Sequence, residues 1–134
     1  MNTPLIRNIL LPTDFSMEAQ VAFHHALKLA LRLKADLDIF HVEPKNDQSD
    51  WHWGPKVVQT LINWNVLPKG STEADLASLG LRIHRTMSGG QDAASAIYKE
   101  LADIHADIVV MATHGRSGLA RWIQPSVATP VALY

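Results

Sequence analysis

No cysteine occurs anywhere in the 134 residues. That excludes a disulfide framework, thiolate metal ligation and cysteine catalysis, and it suits a reducing compartment. Long apolar runs are missing too. No stretch approaches the roughly 18 residues that a membrane span needs, and the opening MNTPLIRNILLP lacks a basic segment leading into a long apolar one. A cytoplasmic location with no membrane partner is therefore the expectation. Neither sign of charge dominates: 12 Lys and Arg stand against 13 Asp and Glu, for a net charge of −1. The basic residues form no stripe, so no nucleic-acid partner is expected. The Gly-Lys-Ser/Thr of a Walker loop and the Gly-x-Gly-x-x-Gly of the dinucleotide fold are absent as well.

What is present is a globular composition, 47% hydrophobic and 19% charged. The length fits a single domain over residues 1–134. Ile6 to Leu11 is a short aliphatic run stopped by Pro12, as suits a strand buried on both faces. After the turn Thr13-Asp14-Phe15, apolar residues recur at Ala22, Ala26, Leu29, Ala30 and Leu33, one face of a helix from Ser16 to Lys34 with Ser16 as its cap. Leu37 to Val42 reads as a second strand, followed by a polar loop. Pro55 to Asn65 and Ser71 to Leu79 read as two short helices, the second ended by Gly80. Leu81 to Met87 is a third strand. Ile97, Leu101 and Ile104 mark a helix from Asp92 to His105, and Asp107 to Ala112 is a fourth strand.

This alternation predicts an α/β fold, an open parallel sheet with helices on both faces and right-handed crossovers. In such sheets ligands bind beyond the carboxyl ends of the strands, where the strand order switches direction. If strands one and four are neighbours there, the Asp14 turn and the loop Thr113-His114-Gly115-Arg116-Ser117-Gly118 face one crevice. Gly115 and Gly118 can bring backbone N–H groups close to an anion. Taken alone the loop is also open to reading as a turn with a helix cap, and Asp14 as a cap or Asx-turn.

Among the seven histidines, His24 and His25 are adjacent on a helix and point about 100° apart. A metal site is not expected. Trp51, Trp53 and Trp64 fit core packing better than a partner surface. No nucleophile stands beside a base and no carboxylate pair is spaced for acid–base work, so an enzyme is not expected.

Ile9-Leu10-Leu11-Pro12-Thr13-Asp14-Phe15-Ser16, then Leu37 to His41-Val42, then Val109-Val110-Met111-Ala112-Thr113-His114-Gly115-Arg116-Ser117-Gly118 together resemble the universal stress protein family in order and spacing. The resemblance implies an adenine nucleotide alpha hydrolase-like (Rossmann-like) sheet of five parallel strands, commonly a homodimer, with ATP bound at the switch point in one branch and no nucleotide in others. It places Asp14 and the Val42 backbone against adenine, Met111 and Ala112 near the ribose, and Gly115, Ser126 and Val127 on the phosphates, with Mg accompanying them. Pro12, Thr13, His114, Arg116 and Gly118 complete that candidate set. The ATP-binding motif, Gly-x-x-Gly, nine residues, then Gly-Ser or Gly-Thr, falls on Ala112 to Gly115, Arg116 to Gln124 and Pro125-Ser126, so two of its three glycines are replaced. Pro125 removes a backbone donor where a phosphate would use one, a bond worth about 1.5–3 kcal/mol.

The family adds a last strand after its final helix, whereas this chain stops at Tyr134. The expectation is a missing fifth strand, a domain incomplete at its carboxyl end, and a homodimer or one half of a tandem pair. Two functions follow. One is a stress-response module binding ATP or another adenine nucleotide; the other is a stress protein acting through protein contacts without a nucleotide.

Overall fold

Strict alternation along the strands builds two apolar layers. In the computed structural model, which describes residues 6–43, 54–89, 93–112 and 132–133, the sheet is formed by β1 (Asn8–Thr13), β2 (Asp36–Glu43), β3 (Arg82–Gly89), β4 (Ile108–Val109) and β5 (Ala132–Leu133). Every pairing is parallel and the order is β3-β2-β1-β4-β5. Successive side chains point to opposite faces of a strand. Ile9, Leu11, Leu37, Ile39, Ile108 and Val110 thus share one face, under α1 (Met17–Leu33) and α2 (Val57–Asn63). Leu10, Phe40, Val109, Met111 and Ala112 share the other, under α3 (Ala93–Ile104). Helices therefore cover both faces, as the alternation predicts.

α1 lies close to the strands because its inner face is rich in alanine: Ala19, Ala22, Ala26 and Ala30 are buried beside Phe23 and Leu27. Leu29 and Leu33 pack at the margin of that core. Its start is set by Ser16, whose Oγ accepts from the Ala19 N–H at 3.1 Å. Its end is set by Lys34 in the left-handed region, with the backbone N–H bonded to Ala30 O. A Ser16→Ala variant should lose about 1 kcal/mol of stability, measured by urea unfolding, because one buried helix-end donor then has no side-chain acceptor.

Four differences from expectation have a physical reason in the sheet and its connections. β1 runs through Pro12 to Thr13 instead of stopping at Leu11. Asn8, Leu10 and Pro12 turn their backbone groups toward β4: Asn8 O accepts from Asp107 N at 2.8 Å and Leu10 O from Val110 N at 2.9 Å. Pro12 is next in that row and has no N–H to offer, and the ladder to β4 ends before it, at Leu10 and Val109. β4 accordingly pairs over two residues where six were expected. Residues Glu73–Leu79 form a 3-10 helix, which Gly80 ends at a φ of 76°.

The fourth difference is a correction. The last strand is not missing: Ala132 and Leu133 pair with Ile108 and Val109 at the far edge of the sheet. Two residues of ladder are too short to register as a strand in a pattern reading, since alternation needs several residues to show.

Trp64 packs against the core beneath α1 and α2, edge-on to His24 at 5.5 Å between ring centroids, with Lys28 Nζ 5.3 Å from the ring. Burial, then the neighbouring Lys28 and His25 charges, hold the His24 imidazole below its ordinary pKa. Trp51 and Trp53 lie outside the described residues.

Candidate functional site

The order β3-β2-β1-β4-β5 makes β1 the strand from which the chain winds outward in both directions. Crossovers on its two sides leave in opposite senses, so a crevice opens beyond the carboxyl ends of β1 and β4. Pro12 stands at that end of β1, and the pairing with β4 stops before it, at Leu10 and Val109.

The turn after β1 is held by its own side chains. Thr13 is buried, and its Oγ1 accepts from the Phe15 N–H at 3.0 Å. Asp14 Oδ1 accepts from the Ser16 N–H at 2.9 Å, an Asx-turn that leads into the α1 cap. Only one carboxylate oxygen is used in this turn. Phe15 sits at a φ of 64°, a conformation that costs a bulky side chain on the order of 1–3 kcal/mol and needs support from its surroundings.

That support is visible in a stack. The Phe15 ring lies on His41 with 3.9 Å between centroids and 8° between planes. His41 comes from β2, in register with Thr13, and its Nδ1 stands 3.0 Å from Thr13 O. A carbonyl only accepts, so Nδ1 carries a proton and donates it to Thr13 O. The turn is thus a rigid shelf made from both strands, edged by a flat pair of rings.

Of the residues singled out in the sequence, Pro12, Thr13 and Asp14 lie at this shelf. The Val42 backbone follows His41 at the end of β2, and Met111 and Ala112 follow β4. Met111 and Ala112 are buried in the core beneath α3, at 3% and 6% exposure. His114, Gly115, Arg116, Gly118, Ser126 and Val127 lie outside the described residues, as does Pro125. Phe15 and His41 were not singled out as site residues. Their only signal was an aromatic after the turn and a histidine near the end of the next strand, which becomes informative once the register Thr13 to His41 is known.

A half-open cavity of about 170 Å³ lies elsewhere, at the amino ends of β1, β2 and β3. Among the described residues no group of three His, Asp or Glu side chains is arranged to hold a metal ion. No described helix is long and apolar enough to cross a membrane.

A parallel sheet with helices on both faces and a switch point between β1 and β4 defines a doubly wound protein of the α/β class. The chain belongs to the universal stress protein family, whose family model matches residues 5–133. Among solved structures it is similar to a universal stress protein family member from Burkholderia pseudomallei, at 21% identity and a TM-score of 0.63, covering 99% of this chain and 98% of that one. It is also similar to a family protein from Arabidopsis thaliana with AMP bound, at 14% identity and a TM-score of 0.57, covering 95% and 90%. A universal stress protein in complex with cAMP matches at 14% identity and a TM-score of 0.53, covering 96% and 97%. At such identities the likeness carries the fold. Among curated proteins none matches the chain.

Proposed function

We propose that this chain is a stress-response module that binds an adenine nucleotide, ATP foremost, at the crevice between β1 and β4, and that it regulates through binding and not through catalysis. The carrying observation is the Thr13-Asp14-Phe15 shelf, braced by His41 and standing at the switch point. An adenine laid there would meet the Asp14 carboxylate, with its spare oxygen as acceptor, and the end of β2 at Val42. The ribose would approach Met111 and Ala112. By the family resemblance Gly115, Ser126 and Val127 would take the phosphates and their Mg. The AMP and cAMP complexes of the two fold neighbours support an adenine nucleotide as ligand class. A cytoplasmic homodimer, or a tandem pair, joined along the β5 edge completes the proposal.

A second reading has its own observation. Ala112 places a buried methyl group where the family's motif has glycine, and it packs against the core under α3. That favours a member acting by protein contacts alone.

Isothermal titration of Mg-ATP into the full chain separates the two. Micromolar binding that weakens about tenfold to a hundredfold in Asp14→Ala, the loss of one hydrogen bond with a charged partner, supports the first reading. No saturable heat in the unaltered chain would leave the protein-contact reading.

A further inference from the structure

At the opposite end of the sheet, beneath α3, β2 carries an acid beside the buried Leu10 of β1 and two residues before the buried Phe40. Asp38 is 3% exposed. Its Oδ1 accepts from Thr86 Oγ1 at 2.9 Å, while no donor among the described residues reaches Oδ2. A buried carboxylate with an unmet oxygen is costly unless a positive partner reaches it.

Asp38 lines the cavity of about 170 Å³, room for several water molecules. Glu100 comes down from α3 and lines the same space, with Asp36 from β2 alongside. The hydrogen bond between the Asp38 and Glu100 carboxyls, then burial, then the charges of Asp38 and Asp103, push the Glu100 carboxyl up to about 7. Such a bond needs the Glu100 carboxyl protonated; with Glu100 ionised, Asp38 Oδ2 has no donor among the described residues. Lys99, the nearest cation on α3, is turned outward to Asp103 at 2.8 Å. On β3 the half-exposed His84 is 3.6 Å from Asp36 and serves that carboxylate.

The rest of the lining is not acidic. Ile9 and Ile104 supply an apolar wall. Asn8 gives its Nδ2 to Ile104 O at 2.9 Å, which leaves its Oδ1 as an acceptor. Three carbonyl-type acceptors beside an apolar wall suit an N–H cation with a short hydrocarbon tail. A bare metal ion is less well served, since no three acidic or imidazole groups converge as ligands among the described residues.

We propose that this cavity is a binding site for a small primary alkylammonium ion, seated between the Asp38 and Glu100 carboxylates. Site and occupant are independent of the nucleotide crevice, which lies at the other end of β1.

The test is isothermal titration of n-propylammonium chloride into the full chain at constant ionic strength, at several pH values from 5.5 to 8.5. Saturable binding is expected at high pH. It should weaken up to about tenfold per pH unit as the pH falls below about 7, where Glu100 takes up a proton that each bound ion must displace. Tetramethylammonium, with the same charge and no N–H donor, should bind at least tenfold more weakly. Glu100→Gln should weaken n-propylammonium at least tenfold at pH 8 and flatten the pH profile, as should Asp38→Asn if it folds by circular dichroism. Glu100 is at the cavity rim, so its variant keeps the test decisive if Asp38→Asn does not fold. No saturable binding at pH 8.5, or binding unchanged in Glu100→Gln, would overturn the proposal and leave a Glu100 carboxyl that merely takes up a proton.

Discussion

A Pro125→Gly variant is expected to bind ATP at least tenfold more tightly than the unaltered chain. The substitution returns a backbone N–H to a position that the family motif aligns with phosphate, and a hydrogen bond to a charged group is worth about 1.5–3 kcal/mol. It also lifts the proline restriction on φ, which would otherwise keep the backbone from closing on the ligand. Titration of both proteins with Mg-ATP measures the difference. An equal affinity in the two would mean that residue 125 does not meet the phosphates, and a lower one that the proline holds the loop in its binding shape.

The second large effect concerns stability. Phe23 is fully buried on α1 and packs in the core between that helix and the sheet. Phe23→Ala removes the largest side chain of that layer and leaves a hole that the alanine-rich face of α1 cannot fill, at a cost of about 3–5 kcal/mol. Against a total of about 5–15 kcal/mol for a typical domain, the urea midpoint should fall steeply, and the variant should be marginal at physiological temperature. A loss below about 1 kcal/mol would show that the helix can settle onto the sheet.

The elements that were legible in the sequence are those whose signal is local. The α1 face and its Ser16 cap appear directly in the spacing, and the structure places both ends of that helix within a residue of expectation. The apolar stripe of Ile97, Leu101 and Ile104 likewise lands on α3, against the sheet. What escaped depends on neighbours. Pro12 reads as a strand terminator until one knows that its absent donor points to β4 and not to β2, where the ladder continues to Thr13 and His41. β5 is a strand only because β4 lies beside it.

The site divides in the same way. Thr13 and Asp14 were visible as a turn at the end of a buried strand, and the alternative reading of Asp14 as an Asx-turn is realised in its bond to Ser16. The ring stack that braces the turn joins residues from two strands, and no spacing in the sequence announces it. Asp38 was hidden by its setting. A lone acid in an apolar run reads as an outward-facing residue, and only the packing of α3 shows it to be covered.

The placement of β1 has a consequence for how the chain is made. Its partner β2 follows at once, but β4 is synthesised much later, so at roughly 5–20 residues per second β1 waits several seconds on the ribosome with one side unclaimed. An apolar strand with an open hydrogen-bonding edge invites pairing with other nascent chains. Pro12 lies on that side, where its missing donor denies an incoming strand one backbone hydrogen bond, the means by which gatekeeper prolines protect apolar strands.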